Sequence, residues 1–210
     1  MNKARLLGVV IDDRLSFKPE LVRIAESLPS CTSQVYNHID WINGLSVARL
    51  IEKYHIWVEP RIAYGSAIWI FSIFPEIRLG AKPQHGYGDY WESIHTKFRS
   101  LMRCTTGVSK SVNFNAVLVR FGELPLHYAL ALQALSKYYR IQSERTGDAM
   151  SNLLYNFQSD NTRWNTTRFL APAQRNLTYF QQFSEPNLLE SGSSECFTGR
   201  LRQAMFNELT

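Results

Sequence analysis

The chain has 210 residues, 45% of them hydrophobic and 13% aromatic, with a formal charge of +5 and a pI of about 9.2. These values exclude a disordered polar chain and leave room for a real core, in one large domain or two small ones. The three cysteines, Cys31, Cys104 and Cys196, are far apart and form no C-x-x-C pair, which excludes a disulfide framework or zinc knuckle and suits a reducing, intracellular setting.

The N-terminal MNKARLLGVVIDD is too short in its apolar part, and too soon acidic, for a signal peptide. The β-branched run Arg5 to Ile11 meets Asp12-Asp13-Arg14, which predicts a strand and then a turn, with a second extended piece near Leu15 to Phe17 completing a hairpin. A helix then starts at Ser16 or Pro19. Leu21, Ile24, Ala25 and Leu28 form its apolar stripe, and Pro29-Ser30 is expected to stop it. Val35, Ile39 and Ile42 share one side of the next helical stretch, which breaks at Asn43-Gly44; Leu45, Ala48 and Ile51 continue the pattern to about Trp57. Between Pro60 and Pro75 the run Ile62 to Phe74 predicts one buried helix. At ~1.5 Å per residue it covers about 20 Å, short of a bilayer core, so no membrane span is expected.

Leu79 to Gly88 has glycine and proline without periodicity and is a loop. Tyr90, Trp91, Ile94, Phe98, Leu101 and Met102 then fill one arc of a helix that Thr105-Thr106-Gly107 ends, with Glu92, Arg99 and Arg103 on the far side. From Ser93 to Gly122 the basic residues Lys97, Arg99, Arg103, Lys110 and Arg120 occur without a single Asp or Glu. Such a segment is either a solvated basic face or a phosphate-facing stripe. A further helix, buried on more than one side, is predicted from about Leu126 to Gln142, with Tyr128, Leu132, Leu135 and Tyr139 on one face. After Gly147 the texture turns polar until the helical pattern of Phe197 to Leu209, so residues 148–210 form either a polar tail or a small appended subdomain.

Chemistry-bearing patterns are sparse. Paired acids after an apolar run could serve a two-metal polymerase site, but such a site needs carboxylates from at least two strands, and too few residues precede Asp12 to supply one. A strand end at Asp12-Asp13 accounts for the pair without a metal. His38, His55, His85, His95 and His127 show neither H-x-x-x-H nor H-E-x-x-H spacing, GYGDY lacks the Lys-Ser/Thr of a P-loop, and no G-x-S-x-G elbow occurs. Trp57 and Trp69 are expected in the core. The triplets at Asn165 and Asn176 match a glycosylation acceptor but carry no weight without secretion. No catalytic residue, metal ligand or cofactor site is assigned.

Several pieces in order resemble the reverse transcriptase of non-LTR (LINE-type) retrotransposons, in the part that follows its catalytic aspartates. Leu7-Gly8-Val9, Asp12 and Leu15-Ser16-Phe17 are similar to the strands after the active-site hairpin, where Asp12 occupies the place of a non-catalytic acid. Pro60, Tyr64-Gly65-Ser66 and Trp69 are similar to the family's "P-x-I-x-YGs-x-x-W" helix. Ile94-His95, Phe98, Gly107-Val108-Ser109-Lys110, Ala116-Val117 and Gly122-Glu123-Leu124-Pro125-Leu126 resemble the run that follows it. The match spans roughly residues 4–145.

The resemblance implies a mainly α fold. Residues 1–18 would be a palm-edge β-hairpin, 19–78 a thumb-like helical bundle, 79–147 a connecting helical region and 148–210 the tail. Fingers, most of the palm and the "Y/F-x-DD" hairpin would precede Met1, so this chain is expected to be no polymerase by itself. Its partners would be that missing palm and fingers region and the RNA/DNA template–primer backbone, gripped without sequence preference by Lys97, Arg99, Arg103 and Lys110. The alternative is an α-helical protein–protein interaction module with no nucleic-acid role.

Overall fold

The computed structural model describes residues 3–37, 46–143, 170–184 and 194–209. The fold is mainly helical with an N-terminal two-stranded antiparallel hairpin, as the sequence predicts. Two compact units emerge, one of residues 1–65 and 85–122, the other of residues 66–84 and 123–210. The linear segments 19–78 and 79–147 are therefore each shared between the units.

In the first unit, β1 (Lys3–Leu6) pairs with β2 (Val9–Asp12), with Leu6 opposite Val9 and Lys3 opposite Asp12. The turn thus falls at Leu7-Gly8, five residues earlier than the acidic stretch first suggested. Leu7 has φ 47° and Gly8 φ 89°, two left-handed residues whose twist matches a two-residue hairpin. A side chain at Gly8 would meet the Tyr64 ring, and the Tyr64 hydroxyl donates to the Leu7 carbonyl. Residues 15–17 are not a strand: Leu15 and Phe17 also have positive φ, and Asp12 holds this connection.

Helix α1 (Lys18–Asn37) runs through Pro29 instead of stopping there. Its buried stripe of Leu21, Ile24, Ala25, Leu28, Cys31 and Val35 keeps helical spacing on both sides of the proline. Proline has no N–H to give the Ala25 carbonyl four residues back. That acceptor is met by Lys97 Nζ at 2.6 Å, from α5 (Gly88–Thr106). Helix α2 (Val47–Trp57) is capped by Ser46 and buries Leu50 and Tyr54, whereas Ala48 is exposed, so its inward face is rotated from the one expected. Leu45, Ile39 and Ile42 lie outside the described residues. The predicted helix from Ile62 to Phe74 is two pieces, α3 (Glu59–Ala63) and α4 (Ser66–Ile73), parted at Gly65 with φ 72°. Arg61 reaches from α3 to the buried Cys31 sulfur at 3.0 Å.

α5 begins after the predicted loop and ends on Gly107 in the left-handed conformation, with Trp91, Ile94, Phe98, Leu101 and Met102 buried as the spacing requires. The short α6 (Phe114–Arg120) was not anticipated; Asn113 caps it by accepting from the Asn115 and Ala116 amides.

The second unit is built on α4 and on α7 (Leu126–Ser143), which pack together. Trp69, Ile70, Phe71 and Ile73 of α4 are buried, as are Tyr128, Leu130, Ala131, Ala134 and Leu135 of α7. Helices α8 (Leu170–Gln181) and α9 (Ser194–Leu209) also lie on α7, with Phe180, Phe197, Leu201 and Met205 inside, so the described part of residues 148–210 belongs to this core. Tyr139 and Phe197 stack at 3.8 Å. Asn176 is buried; its side chain accepts from the Ile77 amide and donates to the Pro75 and Pro172 carbonyls, which leaves no amide free for a sugar. Asn165 lies outside the described residues. No helix among the described residues is long and apolar enough to cross a membrane.

The Pro29–Ala25–Lys97 arrangement sets a double-mutant cycle. Lys97→Met costs about 1–2 kcal/mol in the natural chain, where it strands a half-buried carbonyl. In a Pro29→Ala background the restored helical N–H serves that carbonyl, and the same change costs less than about 0.5 kcal/mol. Urea unfolding of the four variants measures it.

Candidate nucleic-acid interface

The four candidate cations Lys97, Arg99, Arg103 and Lys110 do different work in the structure. Lys97 lies on α5 about 200° around the helix from Arg99. It points at α1, its ammonium held by the Ala25 carbonyl. Arg99 and Arg103, one helical turn apart, stand on the other side over the Phe114 ring, with guanidinium carbons 5.8 and 5.6 Å from its centroid. Phe114 also meets the edges of Phe98 and His95. An α6 residue thus organises the cations on α5. The signal for it was present in Asn113, a good helix cap, followed by Phe114, Val117 and Leu118 at helical spacing.

Arg99 is half-buried and its NH2 group donates to His95 Nδ1 at 3.0 Å. An arginine only donates, so the imidazole nitrogen accepts and the ring is neutral there. Burial, reinforced by the nearby Arg99 charge and opposed by Glu92, pushes the His95 pKa below its ordinary value. Arg99 Nε is buried without a hydrogen-bond partner, and the Phe114 π face supplies the neighbouring electron density.

Arg103 clasps the loop after α5, donating from NH1 to the Ser109 carbonyl and from NH2 to the Val112 carbonyl at 2.9 Å. That loop carries Lys110, which is exposed. Ser109 and Ser111 hydroxyls join at 3.1 Å within it. Arg103 therefore both contributes charge and fixes the segment that presents Lys110. Arg99, Arg103 and Lys110 belong to one helix and the loop it holds, while Lys97 is turned away from them. A guanidinium has five N–H groups, so Arg103 retains donors beyond the two it spends on the loop. This arrangement can offer positive charge to phosphate oxygens.

The acidic pair is used otherwise. Asp12 is buried at the end of β2 and accepts from the Ser16 amide and hydroxyl, both at 2.8 Å, and from the Phe17 amide at 3.1 Å. Asp13 is exposed beside it. Glu20, fully buried on α1, accepts from the Val10 amide at 2.9 Å and from Arg23. Both buried carboxylates therefore serve as acceptors that fasten the hairpin to α1. Among the described residues no group of three or more His, Cys, Asp or Glu could hold a metal ion.

Burial alone would raise the Asp12 pKa, but its hydrogen bonds from Ser16 and Phe17 outweigh this and hold it below the usual 3.8. The stability it provides is therefore complete above that unfolded value and is lost as pH falls through the lower folded one. Asp12→Ala is expected to cost about 3 kcal/mol at pH 7, and the deficit relative to the natural chain should shrink as the pH drops below the usual carboxylate range. Urea unfolding at pH 7 and across the acid limb checks both the size and the sign.

No protein-family model matches the chain, and neither a curated protein nor a solved structure matches it.

Proposed function

We propose that this chain serves as the thumb-type, post-catalytic part of a non-LTR retrotransposon reverse transcriptase, an RNA-directed DNA polymerase, and grips the template–primer backbone without a catalytic site of its own. The observation that carries the reading is the basic segment of α5 and its loop, which has no acid from Ser93 to Gly122: Arg99 and Arg103 stand over Phe114, with Lys110 on the stretch that Arg103 holds. The run of motif likenesses from Leu7 to Leu126 lies along a chain whose hairpin-then-helices architecture agrees with such a part. Asp12, the residue most like a polymerase acid, spends its lone pairs on Ser16 and Phe17.

Backbone recognition of a duplex needs cations on a rigid element and no base contacts, which the face offers. Its partners would be an RNA/DNA hybrid and the palm and fingers that bear the catalytic aspartates. An intracellular setting follows from this reading.

The test is a salt titration of the full chain with a mixed-sequence RNA/DNA hybrid. Binding is expected at low salt, weakening as salt rises, and indifferent to sequence. Lys110→Gln should lower the log–log slope by ~0.7–0.9, one contact's worth, without moving the unfolding midpoint, since Lys110 is exposed. Arg99→Gln should do the same to the slope. No binding at low salt, or an unchanged slope in both variants, rejects the reading, as does primer extension by this chain alone.

A further inference from the structure

The two edges of the hairpin are not equivalent. A two-residue turn makes Leu6 and Val9 a hydrogen-bonded pair, and the alternation of an antiparallel ladder then leaves the Arg5 and Val10 main chains pointing outward on opposite sides. On β2 that outer side is occupied. The Val10 N–H goes to Glu20 Oε2 at 2.9 Å, and the Asp12 carbonyl accepts from the Leu15 amide at 2.9 Å. On β1 the Arg5 N–H and C=O have no partner among the described residues, and all four β1 residues are exposed. A free edge beside a lone hairpin is a template for another strand.

The side chains state what strand fits. Lys3 and Arg5 share one face of β1 and Ala4 and Leu6 the other, and β1 has no acid. Leu6 is 60% exposed. A second copy of the chain pairing through β1 would set Lys3 and Arg5 against their own kind, which is destabilising for directly opposed residues. Carboxylates opposite Lys3 and Arg5, alternating with apolar residues opposite Ala4 and Leu6, complement both faces.

We propose that the outer edge of β1 is a strand-addition site for an extended segment of another protein in which acidic and apolar residues alternate, bound antiparallel with its acids opposite Lys3 and Arg5. The main chain supplies the affinity and the charges the register. This surface is separate from the basic face of α5 and does not depend on nucleic-acid binding.

The probe is a capped octapeptide of alternating glutamate and valine, added to the full isotopically labelled chain and followed by amide NMR and hydrogen exchange. Binding should slow exchange at the Arg5 amide and leave the Val10 amide, already bonded to Glu20, unchanged. Because the Arg5 main chain faces outward, the residues opposite it exchange both hydrogen bonds with it. N-methylating the glutamates should then weaken binding at least about tenfold, while N-methylating the valines should not. A lysine–valine peptide should bind at least about tenfold more weakly than the glutamate peptide, and Lys3→Glu/Arg5→Glu, a surface change, should reverse that preference. Equal binding of the two N-methylated peptides, indifference to the charge reversal, no binding of the glutamate peptide, or a dimer of the chain paired through β1 would each overturn the proposal.

Discussion

The first unit depends on one exchange of hydrogen-bond partners, in which a lysine takes the place of an N–H that a proline lacks. A proline inside a helix costs about 3 kcal/mol, through the lost bond and the crowding of the carbonyl four residues back. Against that stand Cys31 and Val35, buried on the far side of Pro29, each contributing about 1–3 kcal/mol by leaving water. The sums are of similar size, so continuing α1 is favourable only if the Ala25 carbonyl is not left bare. Lys97 supplies the donor and in doing so binds α5 to α1, the principal helix pair of this unit. Ser33 and Thr32 hydroxyls also return to carbonyls of α1 around the proline, to Pro29 and Leu28.

Buried charge follows the same pattern. Asp12 and Glu20 are taken out of water and each receives several donors, which is the condition under which a carboxylate is tolerated inside a protein. Both serve the hairpin: Asp12 holds the left-handed residues that lead into α1, and Glu20 blocks the outer edge of β2. One consequence is the asymmetry of the hairpin, with one edge closed by a side chain of the fold and the other open.

The parts of this fold that were legible in the sequence are those whose signals are local. The α5 boundaries come from the Gly-Pro loop before it and Gly107 after it, and the α7 span from its apolar density. Where the fold departs from the local pattern, the reasons are physical as well. LGVVIDD reads as one strand because nothing in a Leu-Gly pair announces a turn that usually takes Asn-Gly, and Leu7 adopts φ 47° all the same. Pro29 reads as a stop only when the apolar stripe beyond it is left aside. Cys31 and Val35 continue the spacing of Leu21 and Leu28, so the sequence itself carries the continuation of the helix. Gly65 inside an apolar run gave little warning that the helix divides there, and α6 was hidden by its length of seven residues. Among the candidate site residues, the clustering of positive charge was legible and its division of labour was not. Ala25 lies 72 positions from Lys97 in the chain, a separation that no local pattern spans.

An acid-free basic segment has another property that bears on how its charges are used. With no carboxylate within the segment to pair with, its cations turn to carbonyl oxygens and to aromatic faces. Lys97 meets Ala25, Arg103 meets Ser109 and Val112, and Arg99 meets His95 and Phe114. These acceptors are neutral, so the positive charge is held in place without being cancelled. A salt bridge would have fixed Arg103 equally well and left little field outside it. Carbonyl and π acceptors instead make a rigid site that is still cationic, which is what the proposed grip on backbone phosphates would need.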